Sequence, residues 1–117
     1  MTRQYAFCYG TLKQGHGNSR WMEGVEPIGD ATIKDVVIVS SGSLPYAIHR
    51  DGKVAHGELY ETTMEHVERI DHLEGHPTFY TRKLTKVECN GKEYSAWVYY
   101  CEKPNTINLP EVEGMWV

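Results

Sequence analysis

The sequence is poor in cysteine. Its 117 residues include three, an odd number, and Cys8, Cys89 and Cys101 stand far apart without any C-x-x-C spacing. Small disulfide-stapled domains and zinc ribbons instead use cysteines in even numbers or at short, regular intervals. We therefore expect three buried thiols, and neither a disulfide framework nor a cysteine-based zinc site.

Long hydrophobic runs and an excess of positive charge are also missing. No stretch approaches the ~18 consecutive apolar residues of a membrane helix, and no run of signal-peptide length stands at the N-terminus. The 12 basic residues are scattered and outnumbered by 16 acidic ones, for a net charge of −4. Nucleic-acid-binding proteins instead concentrate basic residues on one surface. We therefore predict a cytoplasmic protein with no membrane and no nucleic-acid partner.

The composition that remains is that of one folded domain. Hydrophobic residues make up 40% and charged residues 24% of the chain, as in globular proteins generally. A chain of this length can bury a core without staples. We expect a single domain spanning residues 1–117 that acts as a monomer.

Most of the predicted elements are strands. Residues 4–9 and 31–39 are rich in aromatic or β-branched side chains, which favour strands. Asp51-Gly52 predicts a hairpin that joins an edge strand at 44–48 to a strand at 54–60. Asn90-Gly91 predicts a second hairpin between residues 80–88 and 93–100. A short helix is expected at residues 20–22.

One principal helix follows the first predicted hairpin. Thr62 and Glu65 have the spacing of a capping box, which predicts the start of the helix. Gly75 suits the left-handed residue after a helix end, and Pro77 cannot continue the helix. An apolar stripe recurs every three residues between these signals: Met64, Val67, Ile70 and Leu73.

The predicted fold combines about six strands with these helices. Hairpin links make most of the strand pairs antiparallel, and closing the short meander would remove its edges. The fold class is therefore α+β: a small mixed, mostly antiparallel β-barrel with one principal helix and a short helix.

Glu74 is the candidate for chemistry, because it ends the principal helix at the margin of the apolar stripe. The negative end of the helix dipole and nearby apolar side chains both disfavour a carboxylate, which raises its pKa above the usual ~4.3. General acid/base catalysis near neutrality needs such a group. The alternative is that Glu74 is a solvated surface residue.

A metal site at His72 and His76 is the competing possibility. The two histidines are four residues apart, as two ligands on one helical face would be. However, Gly75 and Pro77 interrupt the helix, and no third ligand follows at a recognisable spacing. We therefore expect no metal.

Two motifs stand out in the sequence: Y-G-T-L-K-Q-G at residues 9–15 and D-H-L-E-G-H-P at residues 71–77. Together they resemble the γ-glutamylcyclotransferase-like family, of the γ-glutamylamine cyclotransferase type. Further short motifs follow in the family's order over nearly the whole chain: L-P-Y-A at 44–47, G-E-L-Y at 57–60, W-V-Y at 97–99 and G-M-W at 114–116. Ile70 replaces a common leucine, and Met115 replaces a common acid.

The resemblance implies a small barrel with a cavity where the first loop meets Glu74. In the family, the α-amino nitrogen of a γ-glutamyl group attacks its own γ-carbonyl and releases 5-oxoproline and an amine. Glu74 would be the general acid/base, and no cofactor would be needed. The substrate would be a γ-glutamyl amine, a γ-glutamyl peptide or a γ-glutamyl-lysine type compound. Residues implied to bind it are Tyr9, Gly10, Thr11, Leu12 and Tyr80.

Structural alternatives stand beside several of these assignments. Tyr80 and Arg82 alternate on a predicted strand, so each is either a ligand contact or a cross-strand partner; for Arg82 the structural role is favoured. Tyr9 is a ligand contact or a core residue that contributes only its backbone. Trp97 is expected to fill the barrel. For the whole protein, the alternative is a non-catalytic small-molecule binding or interaction module.

Overall fold

The computed structural model describes residues 3–9, 26–40, 45–76 and 78–112, with backbone only for Leu73 and Glu74. The predicted short helix at 20–22 and the binding-loop residues Gly10, Thr11 and Leu12 lie outside this part of the chain. Within it the structure has five strands and one helix. The strands are β1 (Gln4–Cys8), β2 (Glu26–Ser40), β3 (Pro45–Thr62), β4 (Thr81–Cys89) and β5 (Lys92–Tyr100), and the helix is α1 (Met64–Glu74).

The strands form a closed barrel in the order β1-β3-β2-β4-β5. The pairs β1–β3, β3–β2, β2–β4 and β4–β5 are antiparallel. The barrel closes through a parallel pair between β5 and β1, at Trp97 and Ala6. Beyond the end of β1, β5 pairs in parallel with β3 instead, at Tyr100 and Ala47. The predicted mixed, mostly antiparallel barrel is confirmed.

Every strand contributes to one buried cluster that forms the barrel core. Its members include Phe7, Ile33, Ile38, Leu59, Val87, Val98 and Tyr100. Burying an aliphatic or aromatic side chain of this size contributes about 1.5–3 kcal/mol, so the core stabilises the fold without covalent staples. The three cysteines are buried and form no disulfide, as predicted. Burial raises the pKa of the Cys89 and Cys101 thiols.

The hairpin at Asn90-Gly91 is confirmed, whereas the one predicted at Asp51-Gly52 is wrong. Cys89 pairs with Lys92 across the first turn, and Asn90 and Gly91 have φ of 53° and 77°, as a type I′ turn requires. The Asp51-Gly52 signal instead lies inside β3. Both halves of β3 pair with the same long strand, β2, so the chain does not reverse there.

A local excursion of β3 accounts for the Asp51-Gly52 signal. Lys34 on β2 pairs with Val54 and Val36 pairs with His49, so residues 50–53 stand opposite Asp35 alone. Asp35 has φ 60°, and its carboxylate accepts the Gly52 N–H at 2.9 Å. The Asp-Gly pair therefore marks a positive-φ turn, but the turn belongs to a bulge.

Helix α1 begins one residue later than the capping-box pattern predicts. Thr63 is the N-cap, and its hydroxyl accepts the His66 N–H at 3.2 Å. Thr62 remains in β3, paired with Gln4 of β1, which prevents it from capping the helix. Glu65 forms an exposed ion pair with Arg69.

Helix α1 packs on the outer face of the barrel. Val67 and Ile70 of the predicted apolar stripe are buried, whereas Met64 is 36% exposed. Ile70 belongs to a second buried cluster, between the helix and the barrel, that also contains Cys8, Tyr60, Tyr80, Tyr99 and Cys101. In the described ranges no helix is long and apolar enough to cross a membrane.

The segment after β5 runs back along β2. Ser40 donates its N–H to the Pro110 carbonyl at 3.0 Å, and Val112 donates to the Ile38 carbonyl at 2.8 Å. Glu111 lies between them and binds two cations at the β3 bulge: Arg50 at 2.6 Å and Lys53 at 3.1 Å. The hydrogen bonds from Arg50 and Lys53 lower the pKa of Glu111.

Candidate active site

Glu74 is the last residue of α1, as predicted, and the turn after it is tightly defined. Gly75 has φ 68° and ψ 33°, the left-handed conformation. The Gly75 N–H bonds the His72 carbonyl at 3.4 Å, and the His76 N–H bonds the Asp71 carbonyl at 2.9 Å. This pair of bonds is the Schellman motif, which satisfies the last helical carbonyls.

A glycine is favoured at position 75 for a second reason. The Gly75 carbonyl accepts the Phe79 N–H at 2.8 Å, which folds the segment after the helix back over the glycine. A Cβ at position 75 would stand 3.2 Å from the Phe79 Cβ. Dihedral angles and space therefore both disfavour a side chain at position 75.

Asp71, one turn before Glu74, is bound to the barrel. Its carboxylate accepts two hydrogen bonds from Arg82 of β4, at 2.9 and 3.1 Å. The side chains are only 15% and 13% exposed, so the pair is largely desolvated. The Tyr99 hydroxyl of β5 lies 2.5 Å from the same carboxylate and 3.2 Å from the Val67 carbonyl. Such a fork-to-fork pair fixes orientation as well as distance.

Arg82 is itself held from two further directions. Its guanidinium lies over the Trp97 ring, 4.2 Å from the ring centroid, and its backbone N–H donates to His76 Nδ1 at 3.0 Å. These contacts fix the guanidinium and the backbone of Arg82 against α1 and β5, and whether Arg82 also contacts a ligand stays untested.

Trp97 lies outside the barrel, so its prediction as barrel filling is wrong. It is half-buried, whereas its neighbours Ala96 and Val98 are in the core. Because side chains alternate along a strand, the indole faces outward. There it supports Arg82 and donates its N–H to the Gln4 side chain at 2.8 Å.

The Tyr9 side chain lies at the seam where β1 ends. It is buried, and its hydroxyl donates to the Tyr99 carbonyl and accepts the Ala47 N–H at 3.1 Å. It therefore bridges β5 and β3 where β1 no longer separates them. These contacts match the core-residue alternative for its side chain; a contact with substrate through its backbone stays a prediction.

Tyr80 lies close to the Glu74 turn. Its ring stacks on Tyr46 with centroids 5.9 Å apart and meets the edge of Phe79 at 5.0 Å. Its hydroxyl donates to the Pro45 carbonyl at 2.9 Å. Tyr80 shares the buried cluster under α1 with Ile70 and Tyr99. Tyr80 therefore packs beneath α1, and its contact with substrate stays a prediction.

Tyr99, the last residue of the W-V-Y motif, joins the two halves of the site. Its carbonyl binds Tyr9 of the first motif, and its hydroxyl binds Asp71 of the second. Its alternation with Trp97 also places both side chains on one face of a strand. Tyr9 and Asp71, one residue from each motif, therefore both contact β5.

The described residues include no group of three or more His, Cys, Asp or Glu side chains that could hold a metal. His72 is exposed on α1. His76 Nδ1 accepts the Arg82 N–H, which occupies that lone pair.

Fold and geometry define a small closed-barrel domain with its candidate site where the end of α1 meets the barrel. A family model described as "Gamma-glutamyl cyclotransferase, AIG2-like" matches residues 6–117. The chain belongs to this family.

Relatives and solved structures agree with this assignment. A putative gamma-glutamylcyclotransferase of Methanocaldococcus jannaschii is 35% identical over 101 residues, 83% of each chain. The gamma-glutamylcyclotransferase family protein YtfP of Escherichia coli is 33% identical over 98 residues, 84% of this chain and 82% of YtfP. The crystal structure of an AIG2-like protein from Mus musculus shares the fold, with a TM-score of 0.82, 23% identity and coverage of 99% and 90% of the two chains.

Proposed function

We propose that this protein cyclises the γ-glutamyl group of a small γ-glutamyl amide, releasing 5-oxoproline and a free amine. Membership of the cyclotransferase family supports the reaction class. The observation that carries the assignment to residues is the position of Glu74 as the last residue of α1, followed by a Schellman turn.

Glu74 would serve as the proton carrier of this reaction. The α-ammonium of the substrate cannot attack until it loses a proton, and Glu74 accepts that proton. The α-nitrogen then forms a bond to the γ-carbonyl carbon, and the bond from that carbon to the leaving nitrogen breaks. Overall two protons leave the α-nitrogen and two arrive on the released amine, so one carboxyl can carry them in turn.

The ring closure itself needs mainly a favourable conformer of the substrate. Nucleophile and carbonyl belong to one molecule, and well-oriented intramolecular reactions reach effective molarities of ~10⁵ to 10⁸ M. We therefore propose catalysis without a metal or other cofactor. Backbone N–H groups of the first loop near Gly10 would bind either the tetrahedral oxygen or the substrate carboxylate.

A substrate panel tests the proposal. Purified protein is incubated with a γ-glutamyl amine, a γ-glutamyl dipeptide and γ-glutamyl-ε-lysine, and released 5-oxoproline is quantified. We expect turnover of at least one compound by the wild type. Binding of a panel member without turnover would instead indicate a non-catalytic binding module. The absence of both binding and turnover for every panel member would overturn the proposed substrate class.

A further inference from the structure

We propose that Asp71 and Arg82 are positioning residues for Glu74. Their ion pair, completed by the Tyr99 hydroxyl, holds the end of α1 on the barrel and sets the charge beside Glu74. The inference rests on the proposed function of Glu74.

Asp71 connects the shape of the turn to the surface of the barrel. Its backbone carbonyl accepts the His76 N–H at 2.9 Å, which closes the Schellman turn. Its carboxylate accepts both hydrogen bonds from Arg82. One residue therefore both shapes the turn and attaches it to β4.

Arg82 holds the segment on both sides of Glu74. Asp71 precedes Glu74 by three residues and binds the guanidinium. His76 follows Glu74 by two residues, and its Nδ1 accepts the Arg82 backbone N–H at 3.0 Å. Trp97 supports the guanidinium from one face, which holds Arg82 in place. The segment from Asp71 to His76 is therefore attached at both ends to Arg82.

An exposed pair on the same helix shows what is particular to this arrangement. Glu65 and Arg69 form an ion pair within α1 at 3.0 Å, with side chains 77% and 62% exposed. Because both side chains are largely exposed and lie on the same helix, that pair contributes little to where the helix sits. Largely buried pairs are weak evidence for stability, so a buried pair across the helix–barrel junction is better explained by orientation.

The pair also determines the charge near Glu74. On a helix, residues three apart are neighbours, so the Asp71 carboxylate is one turn from Glu74 and Arg82 neutralises it. Among the described side chains, the other titratable groups between Asp71 and His76 or in contact with Asp71 are His72, His76 and Tyr99. Removing Arg82 leaves a negative charge and favours protonated Glu74; removing Asp71 leaves a positive charge and favours the carboxylate.

The test compares Asp71→Asn, Arg82→Gln and the double variant with wild type. We expect each single substitution to lower kcat about 10- to 100-fold with little change in KM, because misplacement of about 1 Å has such effects. The acid limb of the kcat profile should move up by about half a pH unit in Arg82→Gln and down by a similar amount in Asp71→Asn. In the double variant the limb should return toward wild type, since both charges are gone. Glu65→Gln is the matched control and should change neither quantity.

A second readout does not depend on turnover. Carbon NMR of isotope-labelled glutamate follows the Glu74 carboxyl, whose resonance is assigned by its loss in Glu74→Gln. Its titration should move in the same opposite directions in the two single variants. Arg82→Lys keeps the charge without the fork, so it should lower kcat and leave the titration nearly unchanged.

The outcomes separate this inference from the proposed function. Opposite movements of the titration support the positioning role even if the wild type releases no 5-oxoproline from the panel. Unchanged titration and kcat in the variants, or movement of both single variants in one direction, would overturn it. Circular dichroism checks that each variant is folded. If Arg82→Gln does not fold, Arg82→Lys is used in its place.

Discussion

At the scale of single residues, replacing Glu74 with glutamine separates its basicity from its shape. Glutamine keeps the length and an acceptor oxygen but cannot carry a proton. We expect kcat to fall by ~10² to 10⁴-fold, the usual contribution of positioned acid/base groups, with KM nearly unchanged. The measurement is 5-oxoproline release at saturating and limiting substrate.

Two companion variants sharpen that result. Glu74→Asp keeps the carboxyl and withdraws it by one methylene, so much of the rate should be lost through reach. Glu68→Gln, on an exposed position of the same helix, should retain activity. Near-normal turnover in Glu74→Gln would direct attention to Glu58 or Glu68 as the base.

Gly75 is the second residue with a sharp expectation. Gly75→Ala places a side chain at φ 68° and 3.2 Å from the Phe79 Cβ, so unfolding should become easier by about 1–2 kcal/mol. Urea denaturation measures this change. We also expect lower kcat, because the turn beside Glu74 must shift.

Gly52→Ala is the matched control for Gly75→Ala. Gly52 has φ 80°, and a Cβ there would meet nothing within 4 Å. It should show the dihedral cost alone, with unaltered kcat. Equal losses of activity in both variants would contradict a special role for the Gly75 turn.

At the scale of elements, predictions succeeded where the signal was local. The Asn90-Gly91 hairpin and the end of α1 at Gly75 depend on the conformations of a few adjacent residues. The Asp51-Gly52 turn has the same local signal, but β2 is long enough to pair with both halves of β3. The partner of a strand is a long-range property, which a turn signal does not contain.

The candidate site divides in the same way. Glu74 could be proposed from the sequence, and its position at the end of α1 predicted, because the capping and termination signals around it are local. The contacts of Asp71 with Arg82 and Tyr99 join α1 to β4 and β5, and nothing in their own segments specifies these partners. The outward position of Trp97 became evident only once the barrel core was known.

The ion pairs of Glu111 with Arg50 and Lys53 join the segment after β5 to the β3 bulge. They should make the free energy of unfolding depend on pH. Hydrogen bonds from Arg50 and Lys53 lower the pKa of Glu111 below its ordinary value of 4.5. A carboxyl group whose pKa is lower in the folded than in the unfolded state stabilises the fold at pH values above its unfolded-state pKa. This stabilisation is lost as the pH falls through the folded-state pKa. Glu111→Gln should therefore lower the urea midpoint at neutral pH.

The difference between Glu111→Gln and wild type should shrink as the pH falls below 4.5. Parallel urea titrations from neutral pH to about pH 3 measure it. A constant difference over that range would show that the carboxylate charge does not contribute, and that the substitution acts through packing alone.

At the scale of the whole molecule, the barrel should owe no stability to metal. The motivation is sequence-based: His72 and His76 lack a third ligand at metal-binding spacing. Treatment with a chelator should leave the urea midpoint unchanged, and elemental analysis should find no stoichiometric zinc. A lower midpoint after chelation would contradict this, because structural zinc contributes folding free energy directly.

The seam at Tyr9 has a consequence for the order of events during synthesis. Tyr9 and Tyr99 are separated by 90 positions, and both parallel pairs that close the barrel involve β5. β1 must therefore wait for β5 to leave the ribosome before the barrel closes. Contacts so distant along the chain slow folding. Asp71 can bond the Tyr99 hydroxyl only after β5 has reached the barrel. A nascent chain thus completes its seam and the support of its candidate site together, when β5 reaches the barrel.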